Sequence, residues 1–341
     1  MRILVTGGAG YVGSFTTRHL LEQGHEVVVI DDLREGHPAA LPPGILQAGD
    51  VGDRSLLERL MREQQSEAVM HFAGSTRVAE SVADPGLHYR NNTVATLGLL
   101  EAMGACGVKR IVFSSTAATY GAAEQMPLRE DAPQRPVCAY GSSKLAIEWM
   151  IEDFARAHRL SYAVLRYFNA AGAAADGSHG EDHHPESHLI PLVIAAALGR
   201  RPGLDVYGDD YDTPDGTCLR DYVHVEDLAR AHELVLEAAP DPERGGGGRA
   251  YNVGTGRGHT VLEVIRAVER AGGAKVPYRV APRRAGDPAA LVASAERLRG
   301  ELGWTPRYVD LDALVATAWA WHSAHPDGYA DERPAAGETA P

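Results

Sequence analysis

The sequence predicts an α/β fold: a doubly wound parallel sheet with a smaller, interleaved C-terminal α/β domain. The first observation is that short apolar runs alternate with amphipathic stretches through the first half of the chain, which is typical of a parallel sheet wrapped by helices. The second is a glycine-rich turn directly after the first apolar run. The third is a change in the hydrophobic pattern after Phe168, where a long stretch without helical or strand periodicity begins.

The elements of the first half follow from these patterns in chain order. Compact apolar runs predict strands, amphipathic stretches predict helices, and glycine marks the ends of two helices, at Gly24 and Gly107. The predicted strands are 3–6, 26–30, 45–48, 68–71, 110–114 and 162–166. The predicted helices are 12–23, 55–64, 93–106 and 139–157.

The second half begins with residues 170–184, which are predicted to form a long functional loop. Helices are predicted at 189–198, 225–236 and 261–271, and strands at 205–207, 222–224 and 251–253. The glycine run 245–248 is predicted to be a flexible surface loop. We expect a first domain of residues 1–168, to which segments near 222–253 return, and a second domain of mainly 169–326. The tail, 327–341, is rich in Pro, Gly, Ala and acidic residues and is expected to be disordered.

Composition limits the class of function. The 44% hydrophobic and 23% charged content is that of a globular protein, and the net charge of −13 argues against general affinity for nucleic acid or an anionic membrane. Local arginines can still bind an anionic substrate. The odd number of cysteines, without metal-type spacing, favours a reduced compartment. With no apolar run long enough to span a bilayer and no room for a signal peptide, we expect a cytoplasmic protein.

The glycine-rich turn has the pattern of a dinucleotide site. Gly7, Gly10 and Gly13 follow the first strand and open the first helix, where glycines let the backbone approach a pyrophosphate and the helix N-terminus attracts it. Asp31 and Asp32 end the second strand, and a carboxylate there accepts hydrogen bonds from a ribose and repels a 2′-phosphate. The sequence therefore predicts that NAD is the cofactor, in preference to NADP.

A tyrosine and a lysine could move the protons that nicotinamide chemistry requires. Tyr140 and Lys144 stand four residues apart at the start of a predicted helix, so both can face one cleft. A nearby ammonium favours the phenolate, and we expect Lys144 to lower the pKa of Tyr140. The alternative is an ordinary amphipathic helix with a snorkelling lysine.

Taken with the turn and the pair, further motifs resemble the extended short-chain dehydrogenase/reductase family and, within it, the nucleotide-sugar 4-epimerases. The resemblance extends from Met1 to about His325. The segments that carry it are 6–13, 71–74, 114–116, 140–144, 165–169, 220–224 and 281–287. It implies a Rossmann-type NAD-binding domain followed by a substrate-binding domain, a UDP-sugar substrate and a homodimer.

The resemblance also implies a role for individual residues. Tyr140 would be the base, Lys144 its activator and a ligand of the nicotinamide ribose, and Thr116 the hydroxyl that bonds the reacting oxygen. The further cofactor residues would be Tyr11, Val12, Asp50, Val51, Phe72, Ala73, Gly74, Asn91 and Phe168, beside Gly7, Gly10, Gly13, Asp31 and Asp32. The substrate would be held by Thr116, Asn169, His188, Leu189, Tyr207, Arg220, Arg284, Asp287 and Leu291.

Three positions depart from the family pattern. Ser75-Thr76-Arg77 lacks the lysine that epimerases commonly carry there, and Arg77 is the candidate substitute. His188 stands where some relatives have asparagine on the uracil side. Leu291 occupies the position that faces the sugar, and its intermediate bulk leaves tolerance of a 2-N-acetyl group open.

The residues after Thr116 select among the family's reactions. The sugar 4,6-dehydratases have Asp-Glu there, whereas Ala117-Ala118 can transfer no proton. The resemblance therefore implies reversible oxidation at C4: epimerisation of UDP-galactose to UDP-glucose through a transient 4-keto sugar. A 4-epimerase of a UDP-N-acetylhexosamine, a UDP-pentose or a secondary-metabolite sugar nucleotide stays open, and a non-catalytic NAD-sensing protein is a remote alternative.

The segment 181–188 contains histidines and carboxylates but is not predicted to bind metal. Pro185 interrupts any helix that would align His184 with His188, and no second cluster supports a site. We therefore expect a loop on the substrate side and no metal.

Overall fold

A computed structural model describes residues 1–122, 125–284 and 287–329. The strands are β1 (Arg2–Thr6), β2 (Glu26–Asp31), β3 (Leu46–Ala48), β4 (Ala68–His71), β5 (Arg110–Thr116), β6 (Ser161–Tyr167), β7 (Asn169–Ala171), β8 (Leu204–Tyr207), β9 (Leu219–His224), β10 (Gly247–Val253), β11 (Gly258–Thr260), β12 (Tyr278–Ala281) and β13 (Ala290–Leu291). The α-helices are α1 (Tyr11–Glu22), α2 (Arg54–Glu63), α3 (Val78–Ala83), α4 (Pro85–His88), α5 (Ala95–Cys106), α6 (Ala139–His158), α7 (Leu189–Ala197), α8 (Val225–Glu237), α9 (Val261–Gly272), α10 (Glu296–Leu302) and α11 (Leu311–Ala324). A π-helical segment, Tyr89–Val94, leads into α5.

The central sheet has seven strands in the order β10-β6-β5-β4-β1-β2-β3, and every neighbouring pair is parallel. The chain order reverses between β1 and β4, because β2 and β3 extend to one side and β5 and β6 to the other. In doubly wound sheets, ligands bind at the carboxyl ends of the strands beside such a reversal. This confirms the predicted Rossmann-type fold and places the site.

Helices cover both faces of this sheet. On one face, Leu20 of α1 and Leu228 of α8 pack on strand residues such as Val5. On the other, residues of α2, α5 and α6 form a second core, with Leu57, Leu99 and Ile147 all buried. The fold thus buries its parallel strands on both sides, as their near-continuous apolar character predicts.

The C-terminal part has its own core and smaller sheets. The helices α7, α9 and α11 pack together around buried residues that include Val193, Val264 and Leu314. Strand β9 pairs with β7, β11 and β13, and β8 pairs with β12. In sequence, β10 lies between β9 and β11 of this part, yet it extends the central sheet, so the two parts are interleaved along the chain.

Local sequence sets the ends of several helices. Asp53 caps α2 by accepting a hydrogen bond from the Leu56 amide at 3.0 Å. Thr260 and Glu263 form a reciprocal capping box at the start of α9. Gly107 ends α5 with a φ of 73°, as its position predicts.

The predicted strands of the first half all form, and helix α6 begins at Ala139 as predicted. The prediction that 245–248 is a loop is wrong for Gly247 and Gly248, which open β10 because their amides and carbonyls pair with β6. The predicted disordered tail begins too early, since Tyr329 is buried and hydrogen-bonded, and residues 330–341 lie outside the described residues. Within the described ranges, no helix is both long and apolar enough to cross a bilayer.

Candidate active site

The glycine-rich turn packs against the chain that leaves β4. Gly7 has a φ of +69°, and a Cβ there would come within 2.5 Å of the Ala73 amide nitrogen. A Cβ on Gly13 would lie 2.1 Å from the Gly7 carbonyl oxygen. Both positions therefore require glycine, because α1 begins so close to the turn. The result is a tight cradle in front of the unpaired N–H groups of the first turn of α1, a geometry that suits a pyrophosphate.

The two carboxylates after β2 differ in their surroundings. Asp31 is buried, and its oxygens accept hydrogen bonds from the Ala9 and Leu33 amides, both at 2.9 Å. Burial raises the pKa of Asp31. Asp32 is exposed and pairs with Arg34, whose Nε lies 2.6 Å from its carboxylate. Asp31 thus ties the glycine turn to the end of β2, and a ribose contact for either carboxylate stays a prediction.

The segment after β4 lines the same crevice. The Phe72 and Ala73 amides donate to the Thr6 carbonyl at 2.9 and 3.1 Å, and Gly74 has a φ of +151°. Asn91 donates to the Ser75 hydroxyl at 3.0 Å. Phe72, Ala73 and Gly74 thus follow the carboxyl end of β4 beside that of β1, Asn91 reaches this segment through Ser75, and a contact with the cofactor stays a prediction for all four.

Asn92 was not singled out in the sequence, yet it joins this segment to α6. Its side-chain oxygen accepts from the Ser75 amide at 2.7 Å, and its nitrogen donates to the Ser143 hydroxyl at 3.0 Å. Asn92 is fully buried, so these bonds fix the distance between the nucleotide crevice and the helix that carries Tyr140. Its adjacency to Asn91 was the available sequence signal.

The remaining cofactor candidates lie at the rim of the crevice. Asp50 follows β3, is exposed, and accepts a hydrogen bond from the Gly52 amide at 2.7 Å. Val51 packs at the edge of the α2 core, while Val12 packs beside the β1 core. Arg77, the candidate substitute for the family lysine, pairs with Glu35 and donates to the His184 carbonyl at 2.7 Å.

Thr116, Tyr140 and Lys144 meet where β5 ends and α6 begins. Thr116 is the last residue of β5, and its side chain shares a hydrogen bond with the Tyr140 phenol. Lys144 lies one turn further along α6, is 3% exposed, and donates from Nζ to the Ser114 carbonyl at 3.0 Å. The predicted pair and its hydroxyl therefore form one constellation beside the crevice.

The expected electrostatic effect of the lysine is wrong for this arrangement. Burial raises the pKa of Tyr140, and the neighbouring Tyr167 adds to the rise, while the Thr116 hydrogen bond opposes it. Burial also lowers the pKa of Lys144 to about 8. The spacing of the two residues predicts the attraction between ammonium and phenolate but does not reveal the loss of solvation, which is the larger effect in the folded protein.

A buried ion pair that the sequence did not reveal supports the catalytic helix. Arg166 of β6 donates to Glu148 of α6 through Nε and Nη2, with Nη2 2.6 Å from Oε2. The side chains are 7% and 3% exposed. Ser115 donates to the same carboxylate at 2.5 Å. These bonds attach α6 to β5 and β6 one turn beyond Lys144.

The substrate candidates gather at the strands around β9. Arg220 donates to Asp287 at 2.7 Å and to the Leu219 and Pro288 carbonyls at 2.9 and 3.0 Å. A guanidinium has five N–H donors, so two remain for a phosphate. Arg284 stacks on Tyr207, with its guanidinium carbon 3.9 Å from the ring centroid.

A small apolar cluster connects the two ends of the site. Leu291 and Phe168 pack with Ala117, the residue after Thr116. Leu291 is also the register partner of Arg220 in the β13–β9 pair. The structure thus places the predicted sugar-facing residue between the hydroxyl that ends β5 and the arginine that would hold phosphate.

Three substrate candidates are engaged elsewhere. Asn169 donates to the Asp221 carbonyl at 3.0 Å and so fastens β7 to β9. His188 is bonded through Nδ1 to Glu181, and Leu189, the first residue of α7, packs on the C-terminal core. Substrate contacts for these three residues stay predictions.

The Rossmann-type sheet and the Thr116–Tyr140–Lys144 constellation indicate a nucleotide-dependent enzyme of the class that the sequence motifs predict, and a comparison with family models gives the same class. Residues 3–254 match the NAD dependent epimerase/dehydratase family. The chain therefore belongs to this family, which confirms the assignment that the sequence motifs predicted.

Within this family, the chain is similar to several UDP-glucose 4-epimerases. The chain is 48% identical over 332 residues to the UDP-glucose 4-epimerase of Halalkalibacterium halodurans, which covers 97% of this chain and 98% of the relative. It is 50% identical over 334 residues to that of Streptomyces lividans, with 97% and 98% covered. A solved structure of the Bifidobacterium longum UDP-glucose 4-epimerase with NAD+ and UDP superimposes with a TM-score of 0.91 at 41% identity, covering 96% of this chain and 100% of that one.

Proposed function

We propose that this protein is an NAD-dependent 4-epimerase that interconverts UDP-galactose and UDP-glucose. The observation that carries the proposal is the Thr116–Tyr140–Lys144 constellation at the carboxyl end of β5, beside the glycine cradle. Ala117 and Ala118, which follow it, provide no acid or base for elimination. The near-full-length similarity to UDP-glucose 4-epimerases supports the same reaction.

The cofactor would be held by the residues that form the crevice. The glycine turn and the first turn of α1 fit the pyrophosphate, and the segment after β4 fits the surface beneath the dinucleotide. When bound, NAD would accept a hydride from C4 of the sugar and return it. The fit rests on Gly7 and Gly13, where any side chain would collide with backbone atoms.

Tyr140 is the proton-transfer residue in this proposal. Its phenol oxygen takes the proton of the 4-hydroxyl as C4 is oxidised and returns it when the 4-keto sugar is reduced. Thr116 orients the reacting oxygen. Lys144, held by the Ser114 carbonyl, would bind the nicotinamide ribose and, while protonated, would only in part oppose the rise that burial causes in the pKa of Tyr140.

Inversion requires that the sugar turn over while the nucleotide stays bound. Arg220 and Arg284 supply the charge for the pyrophosphate, and guanidinium groups match phosphate oxygens bidentately. The sugar side is lined by the Leu291 cluster, which makes few directional contacts. Firm binding at the arginines and weak binding at the sugar therefore permit both faces of C4 to meet the cofactor.

The test is to incubate purified protein with UDP-galactose, UDP-N-acetylglucosamine or UDP-xylose without added NAD and to identify the C4 epimers. We expect UDP-galactose to be converted and Tyr140→Phe to abolish conversion while bound NAD is retained. Tyr162→Phe is the matched control, because Tyr162 lies at the opposite end of the sheet, near the start of β6. Conversion of none of the three sugars, or full activity in Tyr140→Phe, would reject the proposal.

The sugar preference depends on Leu291. Leucine is intermediate in bulk, so UDP-N-acetylhexosamine is the second candidate substrate, and the same panel compares the two. We assign the principal activity to the hexose because the relatives of highest coverage described above are UDP-glucose 4-epimerases.

We also propose that the protein forms a homodimer through α5 and α6, which pack side by side. Val94, which directly precedes α5, Leu97 of α5 and Trp149 of α6 are 62%, 39% and 59% exposed. Large apolar side chains exposed together mark interaction surfaces. Light scattering after size-exclusion chromatography should give a molar mass twice that of the chain, and Trp149→Glu should lower this mass towards that of the monomer. A monomeric wild type would overturn this assignment.

A further inference from the structure

Four potential metal ligands converge in the loop between β7 and α7. The ligand atoms of Glu181, His183, Glu186 and His188 all lie within 4.8 Å of one another. The sequence predicts no metal site because Pro185 separates His184 from His188, but in the structure it is His183 that lies against His188. Because the loop is not helical, the interruption at Pro185 does not keep the ligands apart.

The distances from His183 to the two carboxylates are close to those of a tetrahedral ion. Zinc binds nitrogen and carboxylate oxygen at about 2.0–2.2 Å, which puts neighbouring ligand atoms roughly 3.3–3.6 Å apart. His183 Nδ1 lies 3.2 Å from Glu181 Oε1 and 3.7 Å from Glu186 Oε2. His188 Nδ1 contacts Glu181 Oε1 directly, and the two imidazole rings are nearly perpendicular, at 87°. Binding of an ion would require His188 Nδ1 to move away from Glu181 Oε1 to the separation of neighbouring ligand atoms.

The charge of the cluster also favours a divalent cation. Glu181 is 3% exposed, and a buried carboxylate needs a compensating charge. Among the described residues, its ion pairs are with His183 and His188 rather than with any lysine or arginine. With an ion bound, both imidazoles would be neutral and the two carboxylates would supply a charge of −2, which one zinc ion neutralises.

Neighbouring groups hold the ligands in place, as they do in metal sites. Glu186 Oε1 accepts hydrogen bonds from the Ser187 and His188 amides at 2.6 and 2.7 Å, so Oε2 is left for the cluster. The Trp321 indole donates to the Glu181 carbonyl at 2.9 Å, and Trp321 is itself buried. The loop is therefore fixed from both ends before any ion binds.

We propose that Glu181, His183, Glu186 and His188 bind a structural zinc ion. Imidazole with carboxylate is a ligand set that zinc accepts, and four protein ligands leave no open position for catalysis. The ion would close the segment that precedes α7 and fix it against the start of α1. There, the Tyr11 ring lies 6.3 Å from that of His183, and its hydroxyl donates to the Gly172 carbonyl at 2.6 Å.

The test measures zinc in tag-free protein by inductively coupled plasma mass spectrometry, after zinc loading and dialysis against metal-free buffer. We expect about one zinc per chain in the wild type. His183→Ala should lose most of it. His184→Ala is the matched control, because His184 is adjacent and exposed but outside the cluster, and it should keep its zinc. A wild type without bound zinc, or equal loss in both variants, would overturn the site.

Two further measurements keep the result decisive. Glu186→Gln preserves an oxygen for the Ser187 and His188 amides, so it tests the ligand role if His183→Ala fails to fold; zinc content equal to that of the wild type would count against the site. Cobalt added to zinc-depleted protein should give the visible absorption of tetrahedral cobalt in the wild type but not in Glu186→Gln. Zinc content and UDP-galactose conversion are scored separately, so this inference and the proposed function can fail independently.

Discussion

The buried pair between Arg166 and Glu148 offers a quantitative test of how the catalytic helix is held. We consider Arg166→Met and Glu148→Gln, singly and together. Each single substitution leaves a buried charge without its partner, whereas the double variant leaves no buried charge at this position. The two residues therefore should not contribute independently to the free energy of unfolding.

The geometry sets the magnitude. The closest N–O distance is 2.6 Å and both side chains are almost fully buried. Two unit charges about 4 Å apart attract by about 4 kcal/mol at an effective dielectric constant of about 20, and loss of one partner of a buried pair costs about 3–5 kcal/mol. We expect each single variant to lose about that much and to melt on the order of 5–10 °C lower. The double variant should lose at least about 2 kcal/mol less than the sum of the singles.

The assay is urea unfolding and thermal melting of all four proteins with the same saturating NAD concentration. Arg156→Met is the matched control, because Arg156 pairs with Asp153 on the surface with both side chains 69% exposed. That control should change stability by less than about 1 kcal/mol. Additive losses in the double variant, or single losses no larger than that of the control, would refute the view that this pair anchors α6.

Three further predictions concern the site. Thr116→Val should reduce kcat by about 10²–10³-fold because it removes the hydroxyl that would hydrogen-bond the reacting oxygen, while Thr116→Ser should retain most activity. Equal kcat values for the two variants would contradict this role of Thr116. Because burial raises the pKa of Tyr140 and lowers that of Lys144 to about 8, a higher pH increases the phenolate but removes the ammonium. We therefore expect kcat/KM to rise with pH below pH 8 and to level off above it; a rise that continues with the same slope to pH 10 would exclude a role for the ammonium. Leu291→Ser should raise kcat/KM for UDP-N-acetylglucosamine by about 10-fold or more through relief of bulk, and an unchanged preference would show that Leu291 does not face the sugar.

Much of the fold could be predicted because its signals are local. The parallel strands are compact apolar runs, and the glycine turn is recognisable from spacing alone. Short strands such as β7 and β13 were missed, since strands of two or three residues owe their conformation to partners far away in the chain. The glycines that open β10 were mistaken for a loop for the same reason.

The residues that form the site could be predicted from the sequence, but the shifts of their pKa values could not. Tyr140 and Lys144 share a helical face, which spacing reveals, but burial decides their pKa values, and burial depends on the whole fold. Asp31 was recognised by position, yet its hydrogen bonds to the Ala9 and Leu33 amides depend on how β2 meets the glycine turn. The choice of His183 over His184 in the acidic loop likewise follows from tertiary contacts, because no helical or strand period governs that segment.

The most direct test of the central claim follows the hydrogen on C4 of the sugar. If Tyr140 moves only the hydroxyl proton and the C4 hydrogen moves as a hydride within the closed crevice, solvent never exchanges with C4. We predict that conversion of UDP-galactose in D2O gives UDP-glucose without deuterium at C4, as measured by NMR and mass spectrometry. Deuterium at C4 of the product would contradict the account.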